Sequence, residues 1–127
     1  MRFMSIYRSV EKNRPPTVEE MTRMGALTEE MTKKGVLIAT GGCMPSFLGA
    51  RVRAKGGKLT VTDGPFTETK EIVGGFAIME CASKAEAIEL AKTFLKCIDE
   101  DGECEVRQMG DEANCGGTAP VFESAAA

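Results

Sequence analysis

Ionisable side chains are concentrated around the tetrapeptide DGPF at residues 63–66. A carboxylate such as Asp63 can act as a general base or anchor a ligand if burial or a neighbouring carboxylate raises its pKa towards neutrality. Glu68 and Glu71 follow closely enough in the sequence to supply that neighbour. Asp is also favoured at the first position of a turn, where its side chain accepts hydrogen bonds from backbone amides. The sequence therefore allows two interpretations of Asp63: a turn residue, or a catalytic or ligand-binding carboxylate.

Three further side chains complete the candidate site. Lys70 could bind an anionic group of a ligand, or pair with Asp63 or Glu71 on the surface. Arg53 could hold a carboxylate or phosphate through two hydrogen bonds. A solvated strand face, or an ion pair that holds the DGPF segment, also accounts for Arg53. Tyr7, the only tyrosine, ends the first predicted strand, where its hydroxyl could enter the same cleft or pack at its rim.

The composition excludes several kinds of chemistry. The chain has no histidine, which rules out a histidine general base, a Ser-His-Asp triad and histidine-containing zinc sites. Its five cysteines include no C-x-x-C pair, so reduced thiols are expected rather than disulfides or a zinc site. Cys43 is the most plausible reactive thiol, but no histidine or helix N-terminus accompanies it in the sequence to activate it. We therefore expect no metal and no other cofactor. Any catalysis would be metal-free acid–base chemistry of the isomerase, lyase or hydrolase type.

The length and net charge of the chain limit the classes of partner that it can bind. A chain of 127 residues fits one domain, and its net charge of −3 argues against a nucleic-acid-binding protein. No apolar run approaches the ~18 residues that span a membrane. The N-terminal sequence MRFMSIYRSV is too polar for a signal peptide. We expect a cytoplasmic protein that makes no contact with a membrane.

Two helices are predicted from their capping signals. Thr17 and Glu20 form a capping-box pattern, and Gly35 is a natural helix C-terminus. The apolar stripe of this first helix consists of Met21, Met24, Leu27 and Met31. Ser83 and Glu86 repeat the capping-box pattern before a second helix. Its buried face is expected to carry Ile88, Ala91, Leu95 and Ile98.

The predicted strands define the fold class. They cover residues 1–7, 36–40, 74–81 and 103–109, with a β-hairpin over residues 50–62 that turns at Gly56-Gly57. The continuous apolar run at 36–40 predicts a strand buried on both faces. This order predicts an α+β fold, a ferredoxin-like βαββαβ arrangement with an inserted β-hairpin and with two helices on one face of an antiparallel sheet. The other face carries Phe3, Val52 or Ala54, and part of 76–81, and a second copy of the chain is expected to cover it.

The stretch GARVRAKGGKLTVTDGPFTETKEIVGGFAIME at residues 49–80 carries the pattern T-D-G-P-F-x-E-T-K-E. The segments GVL at 35–37, SKAEAIE at 83–89 and EVR at 105–107 extend the match over about residues 1–109. On these residues the chain resembles the YCII-related family, specifically its DGPF subgroup in the dimeric α/β-barrel superfamily. The resemblance implies a homodimer whose two sheets form a barrel-like core, with clefts between strands and loops, and no established reaction. Residues 110–127 are expected to form a flexible tail.

The resemblance also shapes the functional prediction. Distant YCII-like relatives carry a His–Asp pair proposed as catalytic, and without a histidine only Asp63 could be retained from that pair. We predict a small cytoplasmic homodimer that binds a small anionic organic molecule in a cleft beside the DGPF segment. Asp63 would be the base or anchor, and Arg53 and Lys70 its charge partners. The alternative is a non-enzymatic regulatory protein, because DGPF relatives are often associated with sigma-factor-like transcription regulators.

Overall fold

The computed structural model describes residues 1–12, 14–66 and 70–110. Within them the elements follow the predicted order: β1 (Arg2–Ser9), α1 (Val18–Lys33), β2 (Leu37–Gly42), β3 (Ala50–Lys55), β4 (Lys58–Asp63), β5 (Ile72–Glu80), α2 (Lys84–Lys96) and β6 (Glu103–Gln108). The strands form an antiparallel sheet in the order β2-β5-β1-β6 and a separate β3-β4 pair. This order is that of a ferredoxin-like fold, and it confirms the predicted α+β class. The predicted tail lies outside the described residues, apart from Gly110.

Local capping signals position both helices. The Thr17 side chain accepts a hydrogen bond from the amide of Glu20, and the Glu20 carboxylate accepts one from the amide of Thr17, so the predicted capping box is present. Gly35 has a φ of 72°, the left-handed conformation that ends many helices. At α2 only half of the predicted box forms. Ser83 caps the amide of Glu86, but the Glu86 carboxylate accepts from Ala82 instead.

The buried core lies between the sheet and α2. Phe3 is only 1% exposed and packs with Met79, Cys81 and Ala87. The prediction that Phe3 lies on the face away from the helices is therefore wrong. Alternate residues of a strand lie on opposite faces of the sheet. Because both sets of side chains in β1 contain apolar residues, the sequence does not determine which set is buried. The face turned away from the helices, called the open face below, carries Met4, Ile6, Phe76 and Ile78.

One further burial prediction is wrong and another is correct only in part. Strand β2 is not buried on both faces, because it forms an edge of the sheet and leaves Ile38 47% exposed. On α2 the prediction is confirmed for Ala91, which is buried together with Ala87, but it is wrong for Ile88, which is exposed, and Ile98 lies beyond the end of the helix. The apolar residues of α2 extend over more than one face of the helix, so the sequence permits either set to be buried. The small alanine side chains allow the closest approach of the helix to the sheet.

The predicted β-hairpin forms and projects from the domain. Strands β3 and β4 pair from Ala50↔Asp63 to Lys55↔Lys58 and turn at Gly56 and Gly57, both with positive φ. Residues 50–63, called the hairpin arm below, are exposed except for the half-buried Arg51. The arm and the larger sheet are joined through a short 3₁₀ helix, Ser46–Leu48, and the DGPF corner.

Candidate functional site

A cavity of about 940 Å³ lies between α1 and the helix-facing side of the sheet. Helix α1 does not pack closely on the sheet, so its apolar stripe faces this space. Met24, Leu27 and Met31 are half-buried and line the cavity, whereas Met21 is 51% exposed and lies outside it. The sheet and α2 contribute further apolar lining residues, among them Leu37, Ala77, Met79, Leu90 and Phe94.

Polar contacts tie the N-terminal half of α1 to the segment that follows α2. The Glu20 carboxylate, only 2% exposed as a residue, accepts a hydrogen bond from the amide of Asp99 at 3.0 Å in addition to its capping bond. The capping amide of Thr17 and the amide of Asp99 lower the pKa of Glu20 to about 2. Arg23 donates to the carbonyl of Cys97 at 3.1 Å and to the Asp99 carboxylate at 2.7 Å. These contacts fix one end of α1 above the cavity.

Tyr7 provides the polar end of the cavity. Its hydroxyl donates to Glu100 Oε1 at 3.1 Å, and Lys12 Nζ lies 2.7 Å from Glu100 Oε2. The ring is 8% exposed and meets Phe94 edge-on at 5.4 Å. Burial raises the pKa of the Tyr7 hydroxyl, and this effect outweighs the opposing hydrogen bond with Ser9. A donor, a carboxylate and an ammonium group therefore meet where an apolar cavity ends.

Two glycines make room for the Tyr7 ring. A Cβ at Gly102 would lie 2.7 Å from the Tyr7 hydroxyl oxygen, and one at Gly74 would lie 3.0 Å from the ring carbon Cδ2. Sequence reasoning proposed Tyr7 but missed Glu100 and Gly102. The run Asp99-Glu100-Asp101-Gly102 resembles an ordinary solvated turn, and nothing local shows that it faces the end of β1.

The DGPF corner is held by backbone packing and a chain of hydrogen bonds. A Cβ at Gly64 would overlap the carbonyl oxygen of Ser46 and lie 2.6 Å from its carbonyl carbon. The Gly64 amide donates to Gly49 O at 2.9 Å, and the Phe66 amide donates to Ser46 Oγ at 3.1 Å. Ser46 in turn donates its hydroxyl and amide to Glu11, at 2.6 and 2.5 Å. These bonds lower the pKa of the Glu11 carboxyl. The Gly64-Pro65 peptide bond is cis.

A second depression, of about 610 Å³, lies beside this corner. Its lining includes Arg8, Arg51, Phe66 and Glu71. The Arg51 guanidinium lies 3.9 Å from the centre of the Phe66 ring, a cation–π contact. Arg8 donates to Glu105 at 2.8 Å. We call this depression the DGPF groove.

The predicted site residues are divided between these places. Tyr7 lines the large cavity and Glu71 lines the DGPF groove. Asp63, Arg53 and Lys70 are exposed and line neither, and Glu68 lies outside the described residues. The structure therefore does not bring Tyr7 and Asp63 to one cleft. The catalytic role of Asp63 and the ligand-binding roles of the other residues stay predictions.

Residues 1–12, 14–66 and 70–110 contain no group of three or more cysteine or acidic side chains placed to hold a metal ion. Neither of their two helices combines the length and the apolar character that crossing a bilayer requires.

Comparison with known proteins assigns the family. Residues 1–107 match the model of the YCII-related domain, and the chain belongs to that family. An uncharacterised protein of Rhizobium meliloti (strain 1021), R00369, is 33% identical over 89 residues, which cover 70% of this chain and 72% of that protein. Membership of the DGPF subgroup stays a prediction.

Among solved structures, the chain is similar to 5-chloro-2-hydroxyhydroquinone dehydrochlorinase from Burkholderia phenoliruptrix AC1100, determined in complex with 2,5-dihydroxybenzoquinone. The two chains are 18% identical, with a TM-score of 0.41, over 87% of this chain and 94% of the other. At this TM-score the likeness carries no inference about the site.

Proposed function

We propose that this protein is a homodimer that binds a small, largely apolar organic molecule in the cavity beneath α1. The observation that supports this proposal is the cavity itself, about 940 Å³ and formed within a single chain. Sites for small organic ligands usually measure about 300–1,000 Å³ and combine apolar walls with a few polar groups. The cavity has both properties, since methionine and leucine side chains line it and Tyr7 stands at one end.

Packing energetics favour an occupied cavity. Without a ligand the apolar walls of the cavity face water, and burying apolar surface contributes about 25 cal/mol per Å². Here Glu20 and Arg23 tie the N-terminal half of α1 to the segment after α2, which restrains the movement of the helix towards the sheet. A ligand that fills the space would replace water against the exposed apolar walls and stabilise the folded chain.

The polar end defines which ligand group fits. The Tyr7 hydroxyl donates its one proton to Glu100, so towards a ligand it can accept from a hydroxyl or amine, and the Glu100 carboxylate can accept from the same groups. Lys12 balances the charge of Glu100. If the protein is an enzyme, Tyr7 and Glu100 are the groups that would exchange a proton with the ligand, without a metal. The ligand would then be a mostly apolar molecule with one hydroxyl or amine group.

The DGPF groove is the second candidate location, and it is the one that sequence reasoning favoured. Arg8 and Arg51 line it beside Glu71, which supports the predicted anionic ligand. In that proposal Asp63 acts as base or anchor, with Arg53 and Lys70 as charge partners. The groove is smaller than the cavity, and Asp63 is exposed outside its lining. The predicted association with a transcription regulator stays a prediction.

The homodimer is supported by uncovered apolar surface. Met4, Ile6 and Ile78 are half-buried on the open face, and Phe76 there is 38% exposed. A contiguous apolar face of this kind usually marks a protein interface. A second copy of the same chain is the simplest cover, because most soluble oligomers are symmetric homo-oligomers.

Three variants and one probe distinguish the two locations. Leu27→Trp fills the cavity, and Met21→Trp makes the same change on the same helix outside it. We expect Leu27→Trp to weaken binding of the neutral apolar dye Nile red at least tenfold in a fluorescence titration. Met21→Trp and Asp63→Asn should bind the dye like the wild type. Wild-type affinity in Leu27→Trp would contradict the cavity proposal, and loss of binding only in Asp63→Asn would favour the groove. Native mass spectrometry of the purified protein would then identify a retained ligand.

A further inference from the structure

The cavity beneath α1 runs along most of that helix. Glu20 in its first turn and Met31 in its last turn both line the cavity. A helix rises ~1.5 Å per residue, so these two positions lie roughly 17 Å apart along the axis. Glu20 contacts the segment after α2, whereas the Met31 carbonyl accepts a hydrogen bond from the Val36 amide at 3.0 Å, just before β2. Different parts of the chain therefore form the two ends of the cavity.

The sheet beneath the helix has the same two ends. Tyr7 lines the cavity near the end of β1, and Met79 lines it opposite Phe3, near the start of β1. A rise of ~3.4 Å per residue separates Tyr7 from Phe3 by roughly 14 Å. The Glu80 amide donates to the Val36 carbonyl at 2.7 Å, so Met79 lies at the end where α1 finishes. We call the two ends of this elongated space the Tyr7 end and the Met79 end.

The two ends differ in polarity. The charged lining residues come from the loop after β1, the first turn of α1 and the segment after α2, all at the Tyr7 end: Glu11, Lys12, Arg14, Glu20 and Glu100. The described lining residues at the Met79 end are apolar: Met31, Val36, Leu37 and Met79. Between the ends, Ser5 is hydrogen-bonded with Cys104, and Thr28 is exposed to solvent. This gradient suits a ligand with one polar terminus and an apolar body.

The groups at the Tyr7 end favour a ligand that donates a hydrogen bond. The Tyr7 hydroxyl gives its proton to Glu100 Oε1, at 3.1 Å. The Tyr7 oxygen and the Glu100 carboxylate can therefore accept from a ligand but cannot donate to it. Lys12, which can donate, is engaged with the other Glu100 oxygen at 2.7 Å. An alcohol or an amine fits these acceptors better than an ether of the same size.

We infer that the cavity binds an elongated primary alcohol or amine lengthwise along α1. Its polar group lies between Tyr7 and Glu100, and its apolar body extends towards Met31. The inference rests on the proposed function, because it concerns the same cavity, and it adds the chemical class and the orientation of the ligand. It also makes Met31 the residue that limits how long the ligand can be.

A series of primary alcohols measures the length of the site. Alcohols from 1-butanol to 1-decanol would compete with Nile red for the wild-type protein. Each added methylene should tighten binding roughly fourfold until the chain reaches the Met79 end, where the gain should stop. Met31→Trp should move this limit to shorter alcohols and Met31→Ala to longer ones. Met21→Trp, on the same helix but outside the cavity, should leave it unchanged. One common limit in all four proteins would overturn the inference.

A pair of isomers tests the orientation. 1-Octanol and heptyl methyl ether have the same atoms, but only the alcohol can donate a hydrogen bond. The wild type should bind the alcohol roughly tenfold more tightly, because the bond is made to a charged acceptor. In Glu100→Gln, whose amide can also donate, the ratio should fall to about threefold or less. The ratio compares two ligands on one protein, so a general loss of stability would not change it.

The outcomes separate this inference from the proposed function. Equal affinity of the wild type for the two isomers would overturn the inference, as would an unchanged ratio in Glu100→Gln. Alcohols that fail to displace Nile red would do the same. With any of these results, a cavity that loses the dye in Leu27→Trp would still stand as a ligand site. Wild-type dye affinity in Leu27→Trp would overturn both proposals.

Discussion

Replacing Gly64 with alanine tests whether the DGPF corner is primarily structural. Its added methyl carbon would overlap the Ser46 carbonyl, a backbone group of the 3₁₀ helix that cannot rotate away as a side chain could. The chain must therefore separate at this point, and the bonds from Gly64 to Gly49 and from Phe66 to Ser46 are stretched or lost. Because Ser46 is bound to Glu11, the disturbance also reaches the loop after β1.

The expected loss of unfolding free energy in Gly64→Ala follows from these contacts. Forcing a methyl group into a closely packed site costs about 1–3 kcal/mol. Each of the two hydrogen bonds contributes about 1 kcal/mol. Gly64→Ala should thus lower the free energy of unfolding by about 3–5 kcal/mol, a large share of the 5–15 kcal/mol typical of a domain. For a chain of this size the melting temperature should fall by roughly 3–5 °C per kcal/mol.

Gly25→Ala provides a control of opposite sign. Gly25 lies inside α1, is exposed, and has no atom within 4 Å of an added Cβ. Alanine there should stabilise the protein by about 1 kcal/mol through helix propensity. Urea denaturation of both variants beside the wild type measures the difference. A Gly64→Ala variant within about 1 kcal/mol of the wild type would refute the packing argument for the corner.

Two further predictions concern ionisable groups. Glu20 has a folded pKa of about 2 against its ordinary 4.5, so its stabilising effect should be complete above pH 4.5 and disappear as the pH falls towards 2. Glu20→Gln should flatten the dependence of the unfolding free energy on pH in this window, measured by urea denaturation. Parallel pH curves for the two proteins would contradict the assignment. Because Tyr7 is the only tyrosine and the chain has no tryptophan, near-ultraviolet absorbance should show its phenolate forming with a midpoint above pH 10.0 in the folded protein. A native midpoint no higher than that of the urea-unfolded chain would show that the ring is not buried.

Local signals were sufficient to predict most of the fold. The first helix was predictable because Thr17, Glu20 and Gly35 act within a few residues of one another. The hairpin was predictable because Gly56 and Gly57 adopt the positive φ values that its tight turn requires. Which face of β1 is buried was not predictable, since Phe3 and its neighbours Met4 and Ile6 are all apolar.

The cavity could not be predicted, because it depends on contacts between distant residues. The stripe of Met24, Leu27 and Met31 indicated an ordinary packed helix. The position of that helix depends on contacts such as the hydrogen bond from the Asp99 amide to Glu20, which lie 79 residues apart. The sequence correctly predicts Glu20 as a capping residue, but capping uses only one of its two carboxylate oxygens. Its second role depends on the path of the chain after α2.

Because α1 is attached at one end and lies outside the core, the residues that stabilise the domain differ from the α1 residues that shape its cavity. Phe3, Met79 and Ala87 form the core with α2 and make no use of α1. Substitutions at Met24, Leu27 or Met31 can therefore alter the size and shape of the cavity while the core stays intact. Related chains that keep the same sheet and second helix could accept different ligands by changing only the inner face of the first helix.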